Sequence, residues 1–222
     1  MDIYHILEWV YYIFFSTIFI PILIILGHWS KTTASERRVA WLIFSYLIIE
    51  LVSIILRYNL IRNHFLYYVL TIANLLFMAE YFSSSLGRVV CISIAIAISI
   101  AMFIEVFFFV GFNHINSFTL TLSNALIVIG AFVGLRKLLN GNALHSLSRQ
   151  QPVFLYLGLI IISFFSLATS AFKSKFIDTS LELYYFFDTL DVIAKAAGFL
   201  IIARGFWIGR NNRSWSLRKQ NA

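Results

Sequence analysis

One cysteine, two prolines and ten acidic residues in a chain of 222 leave little room for several kinds of chemistry. The lone thiol, Cys91, excludes an internal disulfide and any zinc cluster built on cysteines, and reads as a small packing residue in a helix. With only Pro21 and Pro152, the paired, interrupted segments that mark many secondary transporters are missing. The histidines His5, His28, His64, His114 and His145 fall at the ends of apolar segments or between them, without ligand-like spacing, so no metal site is expected. There is no phosphate-binding glycine loop, dinucleotide fingerprint or His-Glu-x-x-His pattern. Ser83-Ser-Ser85 has no recognisable base and reads as solvation or capping of a helix end. These absences point away from an enzyme.

Apolar side chains, in contrast, are abundant. Hydrophobic residues make up 60% of the chain, aromatics 18% and charged residues only 12%, with a mean hydropathy of +0.85. That composition belongs to a polytopic membrane protein, expected in a bacterial inner (plasma) membrane. Seven segments approach the roughly 20 residues needed to cross hydrocarbon: 9–28, 40–60, 64–86, 89–112, 118–136, 153–172 and 183–207. Their Ile, Val and Phe runs would suggest strands in water. A span must satisfy its own backbone in lipid, however, and these runs are about twice the length of a barrel strand, so helix is expected throughout. The predicted fold is therefore all-α, a single seven-helix transmembrane domain over residues 1–222, closing with a basic tail at 208–222. The first segment is read as a retained helix rather than a signal peptide, because Asp2 and Glu8 replace the usual leader lysines.

Orientation follows from lysine and arginine on alternate sides of these spans. With the N-terminus outside, the inner side collects 12 of the 17 basic residues: Lys31, Arg37, Arg38, Arg88, Arg136, Lys137, Arg149, Arg204, Arg210, Arg213, Arg218 and Lys219. The outer side has four, Arg57, Arg62, Lys173 and Lys175, and Lys195 lies within a span. The bias predicts N-out and C-in. All five tryptophans, Trp9, Trp29, Trp41, Trp207 and Trp215, fall near or beyond segment ends, where an amphipathic ring favours the headgroup layer. The net charge of +7 mostly reflects this inner-face bias. For the basic tail, anionic lipid is a sufficient partner and nucleic acid an unneeded one.

Chemistry is expected where charge enters the apolar segments. Lys195 sits in the middle of the last one, where an ammonium costs roughly 2.5–3.5 kcal/mol on insertion scales. Asp191 and Asp188 precede it by four and seven residues, on the same helical stripe. Glu50, Glu80 and Glu105 lie in the second, third and fourth segments. Depth counted at about 1.5 Å per residue allows Glu50, Glu105, Asp188, Asp191 and Lys195 to share one outward-facing polar site, with Glu80 a separate buried acid nearer the cytoplasm. The Asp191–Lys195 pair admits two uses: an ion pair that fixes the last helix in the bundle, or a functional site that binds a proton or small anion.

The stretch Leu190-Asp-Val-Ile-Ala-Lys195-Ala-Ala-Gly-Phe199 resembles the seventh helix of microbial rhodopsins, in which Leu-Asp-Val-x-Ala-Lys precedes a Gly/Phe-rich segment. The resemblance covers roughly 25 residues. It implies seven helices, Lys195 as the lysine that forms the retinal Schiff base, and Asp191 as a carboxylate of its counterion complex. The sixth segment, Val153 to Phe172, has no tryptophan, and the third, around Tyr67 to Thr71, lacks that family's aspartate and Thr-x-Pro pattern. With Phe44-Ser-Tyr-Leu-Ile-Ile-Glu50, Asn74 and Glu80, the whole chain also resembles small seven-helix membrane proteins of bacteria, which implies fold and hardly activity.

Gly130-Ala-Phe-Val-Gly134 and the pair Ala194 and Gly198 are small-residue motifs that permit close helix approach. Taken together, these features predict a non-enzymatic sensory or accessory module that works through a signalling or effector protein partner. The alternatives are a retinal-binding, opsin-like photoreceptor through Lys195, and an ion channel or membrane effector.

Overall fold

A computed structural model describes residues 3–59, 61, 63–110, 117–140, 150–179 and 181–220. The described residues are almost entirely helical and contain no strand. Four described helices are long and apolar enough to cross a membrane, at Ala34–Leu56, Arg88–Phe109, Ser117–Asn140 and Gln151–Phe172. The chain is a membrane protein built of helices.

The first apolar segment is not one continuous rod. It divides into α1 (Ile3–Ser16) and α2 (Phe19–Leu26). Pro21 is the physical cause: it has no N–H for the carbonyl of Thr17, and its ring crowds that turn. The chain passes the break with short-range bonds, Ile18 N–H to the Phe15 carbonyl at 3.1 Å and Ile20 N–H to Thr17 at 3.1 Å. A 3-10 turn at Trp29–Lys31 leads into α3 (Ala34–Tyr58). Thr33 and Glu36 start α3 with a reciprocal capping box, in which the Glu36 N–H donates to the Thr33 hydroxyl at 3.2 Å and the Thr33 N–H donates to the Glu36 carboxylate at 2.5 Å.

The third segment stops earlier than its hydropathy suggests. Helix α4 (Phe65–Tyr81) gives way to the single turn α5 (Ser83–Leu86), and Gly87 at φ 93° makes the reversal into α6 (Arg88–Ile104). Only a residue without a Cβ adopts that angle at little cost. Beyond Ile104 the helix widens into a π-helical turn at Glu105–Val110. Helices α7 (Ser117–Asn140), α8 (Gln151–Thr179) and α9 (Leu181–Gln220) complete the described chain. The last helix continues past position 207, where the sequence suggested it would end, into the basic tail.

Helices α8 and α9 pack antiparallel through glycine. A Cβ added at Gly198 would overlap Ile162 and lie 2.9 Å from the Gly158 carbonyl oxygen; one added at Gly158 would overlap Ile202 and lie 2.8 Å from the Gly198 carbonyl oxygen. The two Gly-x-x-x-Ile stretches thus fit each other reciprocally. In α7, Gly130 and Gly134 receive rings rather than backbone, those of Phe82 and Tyr156. The core around them contains Phe82, Ile127, Leu155, Leu159, Ile202 and Phe206, all buried. Helix α6 is peripheral: it buries 17% of its most apolar window against 50% for α7, leaving Val89, Phe103, Phe108 and Phe109 on an apolar outer surface.

Candidate functional site

The turn of α9 that carries Asp188, Asp191 and Lys195 faces inward, because the helical repeat puts positions three and four apart on one stripe. The Lys195 ammonium donates to Asp191 Oδ2 at 2.7 Å. Asp191 Oδ1 accepts a hydrogen bond from the Ser166 hydroxyl of α8 at 3.0 Å. Both carboxylate oxygens of this buried residue are therefore engaged. A buried pair recovers its desolvation cost only through such geometry, with further hydrogen bonds on the remaining lone pairs.

The pair is not sealed into packed side chains. It lines a partly open cavity of about 110 Å³ whose wall includes Tyr11 of α1, Tyr46, Glu50 and Ser53 of α3, Tyr67 of α4, Asn124 of α7, Ser166, Thr169 and Ser170 of α8, and Asp188 of α9. Glu50 Oε2 accepts a hydrogen bond from the Tyr11 hydroxyl at 2.6 Å, which ties α1 to α3. A second, smaller cavity of about 30 Å³ shares Tyr11, Tyr46, Glu50 and Lys195 with the first and reaches Ile18 at the α1–α2 break.

Behind the cavity, uncharged polar groups join three helices. Tyr46 donates to Asn74 Oδ1 at 3.2 Å, and the Asn74 amide N–H groups donate to Ser123 Oγ at 3.3 Å and Asn124 Oδ1 at 3.4 Å. Asn74, Ser123 and Asn124 are all buried, so these bonds remove an otherwise costly set of unsatisfied groups. Thr121 and Ser170 add a hydroxyl pair at 3.0 Å between α7 and α8.

Glu50, Asp188, Asp191 and Lys195 thus come together around one cavity. Glu105 does not join them. It is buried at the end of α6 and accepts hydrogen bonds from Phe118 N–H at 3.3 Å, Thr119 N–H at 3.2 Å and the Thr119 hydroxyl at 2.7 Å. These are the orphan donors of the first turn of α7, where a negative charge also meets the positive end of the helix dipole. Glu80 is likewise not a buried acid: its side chain is 70% exposed and lies 3.8 Å from Arg38, the partner that α3 supplies where its first turns meet the last turn of α4.

The serines and threonine of α8 went unnoticed in the sequence, although the signal was present. Ser163, Ser166, Thr169 and Ser170 recur at intervals of three and four along an apolar helix, the spacing of one polar stripe. Gly158, the partner of Gly198, could have been found from the repeated Gly-x-x-x-Ile. Asn74 stood out in the sequence, but nothing local marked Tyr46 and Asn124 as its partners.

Among the described residues no group of three or more His, Cys, Asp or Glu is placed to hold a metal ion. Pockets for organic ligands usually have at least about 300 Å³, whereas a cavity of about 110 Å³ accommodates several waters or a small ion. Comparison with known proteins gives no matching family model, no matching curated protein and no matching solved structure.

Proposed function

We propose that this chain is a non-enzymatic sensory or accessory module of the bacterial inner membrane, crossing it seven times with the N-terminus outside. The four long apolar helices provide four crossings; α1 with α2, α4 with α5, and α9 supply the others. The 12-to-4 distribution of basic residues supports the orientation. In this reading the basic tail at 208–222 meets anionic lipid, and a signalling or effector protein takes up the output.

The observation that carries the reading is the placement of the Lys195–Asp191 pair at the wall of a water-sized cavity, on a helix that continues without interruption to Gln220. A purely structural pair needs no such space. A polar site that biases a two-state bundle needs both the space and a rigid element leading out of it. Double electron–electron resonance tests this. With Cys91 replaced by alanine, spin labels at Ser84 and Asn211 report the position of α9 relative to α5. Lys195→Met and Asp191→Asn are expected to shift or broaden the distance distribution; identical distributions in all folded variants overturn the reading.

A second reading, an opsin-like photoreceptor, is favoured by the same amine and carboxylate at 2.7 Å. Its test is a red-shifted visible band on adding all-trans retinal to the purified protein, lost in Lys195→Ala. Without such a band the photoreceptor reading fails.

A further inference from the structure

Acidic side chains outnumber basic ones on the wall of the cavity. Its wall carries three carboxylates, Glu50, Asp188 and Asp191, against one ammonium, Lys195. That ammonium is engaged by Asp191 at 2.7 Å. Glu50 has the neutral Tyr11 hydroxyl at 2.6 Å on one oxygen and forms no ion pair among the described residues. A carboxylate at this depth is costly in its charged form unless a cation joins it.

A second observation comes from the facing helix. Thr169 is 7% exposed, lines the cavity, and its hydroxyl makes no hydrogen bond among the described residues. This is unusual for a threonine in a helix, which commonly returns its hydroxyl to a carbonyl one turn back; Thr71, Thr121 and Thr189 all do so here. Since α8 and α9 run antiparallel with Ser166 against Asp191, one further turn brings Thr169 level with Asp188. A hydroxyl open towards a carboxylate-rich space can serve as an oxygen ligand.

We propose that this cavity binds a small monovalent cation, coordinated by Glu50 of α3 and Thr169 of α8. The inference rests on the sensory reading above and names what that site would take. Oxygen ligands suit hard cations, and the Glu50 carboxylate, which makes no contact ion pair among the described residues and already feels the Lys195 charge nearby, matches a single positive charge better than two. The volume of about 110 Å³ admits an ion with a few waters. An anion at Lys195 would face the carboxylates of Glu50 and Asp188 across the same space and is disfavoured.

The test is equilibrium binding of ²²Na⁺ and ⁸⁶Rb⁺ to the full chain in nanodiscs, with ionic strength held by an organic cation too large for the cavity. Saturable binding of either ion is expected, weakened at least tenfold in Glu50→Gln and Thr169→Val and unchanged in Ser45→Ala. Glu50→Gln preserves an acceptor for Tyr11 and Thr169→Val preserves shape, and circular dichroism and gel filtration select the folded samples. Absence of saturable binding in wild type, or equal binding in Glu50→Gln, overturns the proposal. So does a protonated-carboxyl infrared band that Glu50→Gln removes and saturating Na⁺ or Rb⁺ leaves in place, because Glu50 would then be neutralised by a proton. Loss of this proposal with spin labels that still respond to Lys195→Met leaves the sensory reading intact. Saturable binding with unresponsive labels overturns that reading alone.

Discussion

The two halves of the α8–α9 hairpin solve the same problem in opposite ways. Towards the start of α8 and along the second half of α9, Gly158 meets Gly198, and Gly205 and Gly209 press against Phe154, Leu155 and Gln151. Backbones approach closely there, and the space between is filled mainly by apolar side chains, with Gln151 and Glu36 against Gly209. Beyond Gly158 in α8 and before Gly198 in α9 no glycine intervenes; Ser166 bonds Asp191 directly, and Thr169 and Ser170 line the same cavity as Asp188 and Lys195. Lipid gives no hydrophobic reward for bringing helices together, so each half relies on a different adhesive: dispersion at short range in one, hydrogen bonds and charge in the other. The first is rigid because it is full. The second can be altered by whatever enters it.

The largest effect should come from breaking the polar half. Asp191→Ala strands the Lys195 ammonium and is expected to destabilise the protein by about 3 kcal/mol or more, whereas Asp191→Leu combined with Lys195→Leu should recover most of that loss. Reversible unfolding in detergent mixtures measures both; a double variant as unstable as the single one would show that the pair does not act as a unit. Next comes the packed half. Gly198→Ala puts a methyl group against the Gly158 carbonyl and Ile162, an overpacking expected to cost about 1–3 kcal/mol, while cation binding by the surviving folded protein stays as in wild type. Coupled losses of stability and binding would mean that the halves are not independent.

Glu105→Ala removes the cap of α7 and should cost about 1 kcal/mol, the usual value of an N-terminal cap, again with no change in ²²Na⁺ or ⁸⁶Rb⁺ binding. A binding defect would restore Glu105 to the cavity. The smallest effect is expected for Glu80→Gln: its pair with Arg38 is 3.8 Å long and largely exposed, and such pairs contribute about 0–1 kcal/mol. A larger loss would indicate that lipid, rather than water, surrounds the pair.

Much of this arrangement was legible because it is local. The apolar segments and their helical state followed from length and hydropathy, and Asp191 and Lys195 meet because four residues make about one turn. What escaped depends on which helices become neighbours. Glu50 and Glu105 look alike in the sequence, each an acid inside an apolar run, yet Glu50 faces the cavity and Glu105 faces the first turn of α7. Glu80 looked buried because hydropathy averages over a helix, while its fate was decided by where α4 ends. Asn74 and Asn124 are separated by fifty residues and acquire meaning only through packing. The break in the first segment was also missed, although Pro21, the residue that causes it, stands in the sequence.

That break has a mechanical consequence. Between Ser16 and Phe19 the hydrogen-bond ladder is interrupted, so α1 is joined to α2 by a short, compliant joint instead of a stiff rod. Below it, Ile18, Ile22 and Ile25 are anchored in the core; above it, α1 holds Tyr11 over Glu50. Swinging α1 about this elbow would uncover the carboxylate while the anchored residues stay put, at the expense of the Tyr11–Glu50 bond, the Tyr12–Tyr58 hydroxyl pair and the packing of Phe15 on the core.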